Sequence, residues 1–212
     1  MKSKLGLIFV LATVLAGPAF AGTHFFTDGQ IPDSIDIIVG VVSVENEWDE
    51  LEYDVMSIPF RVESAFTSDI SWFVEGQFQD YDDADESTFS LGLGVMYKFI
   101  DSNESMPIDL SARGSIFYGM DEEKNGWTII PSFVNIEGRL IASKRLDNPV
   151  DWTPYAAAII TYSEADWDVD DDSEMLFDVS VGSRFRFNQL GINVEAILGD
   201  QTGFGIGAVY SF

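Results

Sequence analysis

The chain contains no cysteine and a single histidine, His24. The absence of cysteine excludes disulfides and a thiol nucleophile, so an exported domain of this composition must be held together by its core or by a closed sheet. Basic residues are also scarce, since 11 Lys and Arg stand against 36 Asp and Glu and give a formal charge of −25. This balance argues against a nucleic-acid partner and against binding to anionic lipid over a broad surface.

Long hydrophobic runs are absent except at the amino terminus. There the basic residues Lys2 and Lys4 precede an apolar run from Leu5 to Leu15, and Ala19-Phe20-Ala21 follows as a small-residue cleavage site. This arrangement predicts a secretory signal peptide at residues 1–21 and export through the Sec pathway. The mature chain, residues 22–212, is expected to form one domain that begins with a short polar lead-in at residues 22–33. No apolar run in it is long enough for a membrane-spanning helix.

The last ten residues, 203–212, alternate strictly between apolar and small side chains. Phe204, Ile206, Ala208 and Tyr210 form the apolar series, which ends on Phe212. A period of two predicts a strand with one apolar face. An aromatic-ended strand would be a sticky edge in water, whereas closing a barrel in a membrane removes the edge and gives the apolar face lipid to contact.

Similar alternation recurs along the mature chain and predicts an all-β fold: a single antiparallel transmembrane β-barrel with both termini on the periplasmic side. Ten strands are favoured, and eight are possible if the first and seventh segments are misread. Pro59 lacks an N–H and predicts a bulge or local break in the second strand. The alternative fold is a secreted β-sandwich with an aromatic core. The ten segments lie near residues 34–44, 53–64, 69–79, 88–99, 108–118, 127–142, 152–162, 175–187, 191–198 and 203–212.

The connections between these segments alternate in character. Short ones are predicted near 65–68, 100–106, 144–150 and 188–190, and long or acidic ones at 45–52, 80–87, 119–126, 163–174 and 199–202. Short periplasmic turns and longer outer loops are typical of such barrels. Aromatic residues predict two interfacial girdles: Tyr97, Phe99, Trp152, Phe187, Tyr210 and Phe212 at the periplasmic rim, and Tyr53, Phe78, Phe89, Tyr118, Trp127, Tyr162 and Phe204 at the outer rim.

The signal peptide, the alternating segments and the terminal Val209-Tyr210-Ser211-Phe212 together resemble the small Gram-negative outer-membrane β-barrel proteins. The resemblance covers the whole mature chain as a pattern and matches a class rather than one member. It implies outer-membrane lipid and lipopolysaccharide as surroundings. It also implies that the C-terminal strand is read by the barrel assembly machinery.

The acidic connections are the first candidate binding feature. Asp166, Asp168, Asp170 and Asp172 supply enough oxygen ligands for a weak calcium candidate, but the run lacks the glycine and the final glutamate of an EF-hand. The simpler interpretation is a solvated loop, or diffuse divalent-cation bridging to neighbouring lipopolysaccharide. No other cofactor is expected.

The polar faces of the strands form the second feature, since they predict a charged lumen. Arg113 and Glu137 fall at similar depth on adjacent strands, and hairpin geometry about position 189 predicts that Arg184 neighbours Glu195. Mutually neutralised charges would plug the barrel, whereas a charge-lined path would conduct solutes. Gly203, Gly205 and Gly207 predict a narrow gap beside the first strand. The lumen charges are Arg61, Glu63, Glu75, Lys98, Asp109, Arg113, Glu137, Arg139, Asp178, Arg184, Arg186 and Glu195.

Catalysis is not expected, because His24 precedes the first strand and cannot reach the outer rim as an acid–base partner. The sequence therefore predicts a small non-catalytic barrel, structural or interacting at the cell surface through acidic loops. Two alternatives stay open. One is a narrow porin-like channel for small solutes or cations, and the weaker one is a surface enzyme that hydrolyses lipid or peptide.

Overall fold

The computed structural model describes residues 25–48, 51–81, 86–103, 106–124, 127–130, 132–147, 150–166 and 171–212. The signal peptide and cleavage site predicted for residues 1–21 lie outside this part of the chain. The described residues form thirteen strands and no helix long and apolar enough to cross a membrane. The strands are β1 Ile35–Trp48, β2 Leu51–Ala65, β3 Ile70–Tyr81, β4 Glu86–Ile100, β5 Asp109–Gly119, β6 Glu122–Lys124, β7 Trp127–Ile130, β8 Ser132–Ser143, β9 Leu146–Asp147, β10 Asp151–Asp166, β11 Asp171–Phe187, β12 Leu190–Gly199 and β13 Gln201–Ser211.

Ten of these strands close into one antiparallel barrel. Each barrel strand pairs with its neighbour along the chain, and β13 returns to pair with β1 from Asp36–Ser211 to Asn46–Gln201. The start of β1 and the end of β13 therefore lie at the same rim, which we call the terminal end. The strands β6 and β7 form a separate small hairpin, and β9 adds two residues beside β10. The prediction of a ten-stranded closed barrel is confirmed.

The two faces of the barrel wall follow the alternation in the sequence. Outward-facing apolar side chains such as Leu93, Phe177 and Val179 are 54–59% exposed, while their neighbours in the strand point into a buried lumen. A one-residue slip would exchange the two faces, so the apolar pattern fixes the register. The Ala-rich part of β10 follows the same alternation, with Tyr155 and Ile159 inside and Trp152 and Ile160 outside.

Pro59 interrupts one ladder without shifting its register. The partners of β1 and β2 run from Ile35–Ser64 to Val39–Phe60 and resume at Val42–Ser57 in the same register. On its other side, Pro59 remains opposite Gln77 of β3. The predicted irregularity is thus a local break and not a bulge. A bulge does occur where the β4–β5 register shifts between Lys98 and Ile100.

The strands extend further than the sequence pattern indicates at the rim opposite the termini. Predicted connections 45–52 and 163–174 are largely strand, since β1 and β2 pair as far as Trp48–Leu51, and β10 and β11 as far as Asp166–Asp171. Acidic residues have low strand propensity, so the strands predicted from the sequence stop short of their ends in the structure. The predicted segment 127–142 is likewise divided, with Trp127–Ile130 in the small hairpin and Ser132–Ser143 in the barrel.

Exposed aromatic side chains lie near both rims, as the girdle prediction requires. Tyr97 and Phe212 near the terminal end are 50% and 64% exposed, and Tyr118 and Phe204 towards the opposite end are 51% and 56% exposed. The side chains of Tyr53 and Trp127 lie outside the described set. On the outer face of the wall, Phe60, Phe78 and Phe89 contact one another, with ring centroids 4.9–6.3 Å apart.

Candidate functional site in the barrel lumen

The segment that precedes β1 lies inside the barrel. Residues 25–34 belong to no strand, yet Phe25, Phe26, Thr27 and Asp28 are only 1–5% exposed. The segment leaves the lumen at the terminal end, where Asp33 is exposed and Ile35 begins β1. We call residues 25–31 the lumen segment. The sequence predicted only a polar lead-in here, and this occupant is the main feature that it did not predict.

Two phenylalanines fill the space beside the closing strand. A Cβ placed at Gly205 would meet Phe25 at 2.7 Å and Phe26 at 2.9 Å, and one at Gly207 would meet Phe26 at 3.0 Å. Phe25 also lies against Gly203. The prediction that these glycines leave a narrow gap was wrong, because rings from outside the sheet occupy the volume that the missing side chains release.

The same contact between glycine and aromatic ring recurs around the wall. Phe73 lies over Gly94, Phe117 over Gly92, and Phe133 over Gly119. All three rings are 1% exposed. Aromatic side chains from a neighbouring strand thus use the space left by glycine to close-pack the lumen.

Polar groups of the wall bind the backbone of the lumen segment. Glu195 accepts a hydrogen bond from the Phe26 N–H, Arg61 donates to the Phe25 carbonyl at 2.7 Å, and Ser111 donates to the Gly29 carbonyl at 2.6 Å. Phe26 has a φ of 70°, a conformation that costs a residue other than glycine about 1–3 kcal/mol. The contacts with the wall therefore stabilise a backbone conformation at Phe26 that is unfavourable for the isolated segment.

Side chains of the segment make further contacts with the wall. Thr27 accepts hydrogen bonds from both Arg61 and Arg113 through its hydroxyl oxygen. Asp28 forms an ion pair with Arg184, with Nη1 and Oδ2 3.4 Å apart. Near the terminal end, the Gln30 amide donates to Ser143 at 2.8 Å and to Asp109 at 3.1 Å.

Arg61 and Arg113 enclose an aromatic ring on one side of the lumen. Their guanidinium carbons lie 5.1 Å and 3.9 Å from the Phe73 centroid, within the range of a cation–π interaction. Both also face Glu75, which accepts a hydrogen bond from the Arg61 Nε and lies 3.9 Å from the Arg113 Nη2. Glu75 thus faces two buried cations, and the Phe73 ring adds a cation–π contact to each of them.

A second charge group crosses the lumen. Arg139 of β8 contacts Glu137 at 2.8 Å and reaches Glu195 of β12 at 3.2 Å, although two strands separate β8 from β12 in the sheet. Tyr155 donates to Glu195 at 2.9 Å. All four side chains are at most 6% exposed. This group ties distant parts of the wall together in the middle of the barrel.

A third group lies nearer the terminal end. Arg184 of β11 binds Asp36 of β1 as well as Asp28, and Arg186 contacts the same Asp36 carboxylate at 3.4 Å. Ser211 also donates to Asp36 at 2.6 Å. These contacts join the first strand, the lumen segment and the last third of the chain.

The structure changes the predicted pairing of Arg184. The turn at Asn188 and Gln189 places Phe187 opposite Leu190, so Arg184 faces Asn193, and Glu195 faces Gly182. Arg184 binds the aspartates instead, and Glu195 binds Arg139. Arg184 and Glu195 remain two residues apart in register on neighbouring strands, but each binds partners from other strands or from the lumen segment instead.

The other predicted lumen charges also point inward. Arg113 and Glu137 do lie on the adjacent strands β5 and β8, two residues apart in register. Glu63 accepts a hydrogen bond from Ser71 at 2.7 Å, and Asp178 accepts one from the Gln201 N–H at 2.8 Å. Lys98 is only half-buried and pairs with the exposed Asp101 at the terminal end.

The lumen has two regions of different character. The charged region contains the three ion-pair groups and the lumen segment. The neutral region lies towards the opposite end, where uncharged polar side chains mix with the buried Tyr81, Phe117 and Phe133. Its polar members are Ser57, Gln79, Thr88, Ser90, Asn135 and Ser163. Asn135 accepts a hydrogen bond from Ser163 at 2.6 Å, whereas among the residues described, Ser57, Gln79 and Ser90 have no side-chain hydrogen-bond partner.

The calcium candidate stays a prediction. Asp166 ends β10 and is exposed, and Asp172 pairs through its backbone with Ala165, but Asp168 and Asp170 lie outside the described residues. Within the described ranges, no group of three or more His, Cys, Asp or Glu side chains is placed to hold a metal ion. His24 also lies outside these ranges.

No protein-family model matches the chain, and comparison with curated protein sequences finds no relative. Among solved structures, the chain is similar in fold to the β domain of the Bordetella autotransporter BrkA, with a TM-score of 0.51, 11% identity and coverage of 85% of this chain and 100% of that one. A bacterial polysaccharide outer membrane secretin gives a TM-score of 0.49 at 13% identity, covering 86% of this chain and 67% of that one. The translocator domain of NalP from Neisseria meningitidis gives 0.48 at 11% identity, with coverage of 100% and 98%.

The fold is therefore that of a bacterial outer-membrane β-barrel, and no specific member is indicated. The likeness concerns the fold alone, because these barrels share little sequence with the chain.

Proposed function

We propose that the protein is a sealed, non-catalytic barrel of the outer membrane that acts as a structural or surface-interacting element. The occupied lumen is the observation that carries this proposal. Phe25 and Phe26 fill the space beside β13, and Arg139 bridges to Glu195 across the middle. Ten strands enclose an interior little wider than the side-chain-filled eight-stranded barrels. A lumen packed in this way favours a plug over a charge-lined path.

The barrel would have its terminal end in the periplasm and its acidic rim outside the cell. The even strand number, which brings the start of β1 and the end of β13 to one rim, supports this orientation. Glu45 and Glu164 are exposed near the rim opposite the termini. An acidic rim would bind divalent cations diffusely and bridge to phosphate groups of neighbouring lipopolysaccharide. The last strand would be recognised by the barrel assembly machinery.

The proposal of a non-catalytic protein rests on the side-chain chemistry available. The sequence offers no cysteine and a single histidine at position 24, so it supplies neither a thiol nucleophile nor a second imidazole to a hydrolytic site. The enzyme alternative therefore has little chemical support.

Current recordings from the purified protein in planar bilayers test the seal. We expect no stable conductance steps above the bare membrane, at either polarity and in molar salt. A known porin added to the same membrane is the positive control. Regular unitary steps from the intact protein would favour the channel alternative and contradict the sealed barrel.

A further inference from the structure

We propose that the barrel lumen is a peptide-binding site and that the lumen segment is its resident, exchangeable ligand. The ligand class is a peptide with two adjacent aromatic residues and an acidic residue two positions beyond them, as in Phe25-Phe26-Thr27-Asp28. The lumen recognises the two aromatic rings in the spaces beside Gly203, Gly205 and Gly207, which we call the slots. It also binds the peptide through backbone hydrogen bonds and through the ion pair between Asp28 and Arg184.

The wall forms a closed structure without the segment. Every strand of the barrel pairs with two other strands, and β1 is held by β2 and β13 over most of its length. Residues 25–34 contribute no strand to this sheet. Loss of the segment would therefore remove lumen contacts and no ladder hydrogen bonds of the barrel.

The charged groups that bind the segment also have partners in the wall, although that of Arg113 is Glu75 at 3.9 Å from its Nη2, without a hydrogen bond. Arg61 binds Glu75, Arg184 binds Asp36, and Glu195 binds Arg139 and Tyr155. Removal of a sole partner would leave an uncompensated buried charge, which folded proteins tolerate poorly. Here the remaining pairs stay in place, so the wall is built to hold its charges with or without the peptide.

The slots are specific to aromatic rings from the segment. The three atoms nearest to a Cβ at Gly205 all belong to Phe25 and Phe26, at 2.7–3.1 Å. A methyl group at this position would therefore meet the bound peptide before it met the wall. By contrast, a Cβ at Gly114 would have nothing within 4 Å. The two glycines form a matched pair for testing the site.

The backbone contacts make the site a receptor for a chain and not only for two rings. Glu195, Arg61 and Ser111 bind the Phe26 N–H, the Phe25 carbonyl and the Gly29 carbonyl. These contacts do not depend on the side chains of the peptide. They set its direction and depth, while the slots and Arg184 select its sequence.

The experiment cuts the full chain after it has folded. A protease site is built into Pro32–Ser34, where Asp33 is exposed, and the folded barrel is cleaved in detergent. A fluorescent synthetic peptide of residues 22–33 is then added, and its binding is followed by anisotropy. We expect the labelled peptide to replace the resident segment and to be displaced by unlabelled peptide of the same sequence.

Two variants define the specificity of the exchange. A peptide with both Phe25→Ala and Phe26→Ala should bind on the order of 100-fold more weakly, because two buried rings are lost. In the barrel, Gly205→Ala should weaken binding of the natural peptide, and Gly114→Ala should not. A resident segment that never exchanges, or equal binding by the double-alanine peptide, would overturn the proposal.

A second measurement uses the uncut chain, in case the cleaved protein loses its fold. Because the chain has no cysteine, Thr27→Cys introduces a single thiol. In the Gly205→Ala background, a maleimide should label this thiol about tenfold faster than in the Gly114→Ala background, since the slot no longer holds the segment. Equal rates would contradict the slot assignment. Bilayer conductance of the uncut protein tests the seal separately, so either proposal can fail alone.

Discussion

The charged and neutral regions of the lumen are both polar and buried, but they satisfy their polar groups differently. In the charged region, Arg139 and Arg184 each bind two carboxylates, and the lumen segment adds further partners. In the neutral region, Gln79 and Ser90 have no hydrogen-bond partner among the described residues. An uncharged polar group can be buried unpaired at a modest cost, whereas a charge cannot, so the chain concentrates its pairing where the charges lie.

The comparison predicts the largest loss of stability when a central cation is removed. Arg139→Met should lower the free energy of unfolding by about 3–5 kcal/mol, because Glu137 and Glu195 would lose their shared counter-charge in a buried site. Urea unfolding in lipid vesicles, followed by tryptophan fluorescence, measures this change.

Arg145→Met is the matched control for that substitution. Arg145 binds Asp151 through two hydrogen bonds of 2.6 Å and 3.1 Å, but the pair lies on the surface, where the Arg side chain is 46% exposed. A surface pair contributes about 0–1 kcal/mol, so this variant should be nearly unchanged. Similar losses for both arginines would refute the distinction between the buried group and the surface pair.

An intermediate effect is expected where an aromatic ring fills a glycine space in the charged region. Gly94→Ala should cost about 1–3 kcal/mol, because the new Cβ would overlap the Phe73 ring and would lie 2.6 Å from the Gly114 carbonyl. Phe73 cannot move freely, since the Arg113 guanidinium carbon lies 3.9 Å from its centroid. The same unfolding assay measures the loss.

Gly114 is the natural control, because it lies on the paired strand next to the partner of Gly94 and faces outward. Gly114→Ala should be neutral or stabilise the barrel by about 0.4–1 kcal/mol, since alanine restricts the unfolded chain. An equal cost at both positions would show that strand conformation, and not the aromatic contact, determines the effect.

The sequence predicted the wall of the barrel better than its contents. A period of two assigns each residue to a face, so the outward belt and inward residues such as Glu75 and Arg139 followed directly from alternation. Partners across the lumen depend on the tilt and closure of the sheet, which no local pattern encodes. Arg184 was therefore placed beside Glu195, although it binds Asp28 and Asp36.

The lumen segment was missed for a related reason. Residues 25–31 have no periodicity, and a short polar stretch before a first strand is usually a tail. The available signal was Phe25-Phe26, two adjacent aromatic residues that no strand face accommodates, together with glycines at 203, 205 and 207 on the closing strand. Complementarity between ring and glycine becomes visible only when the barrel closes and brings both ends of the chain together.

The smallest changes in stability are expected in the neutral region, where a side chain with a hydrogen-bond partner can be compared with one that has none. Gln79→Leu should change the free energy of unfolding by less than about 1 kcal/mol, because no hydrogen-bond partner among the described residues is lost and an apolar side chain is easier to bury. Asn135→Leu should cost about 1–3 kcal/mol, because it leaves the Ser163 hydroxyl, now 2.6 Å from Asn135, unpaired in a buried site. If Gln79→Leu were as costly as Asn135→Leu, Gln79 would be as firmly bound as Asn135, and the neutral region would differ from the charged region in charge alone.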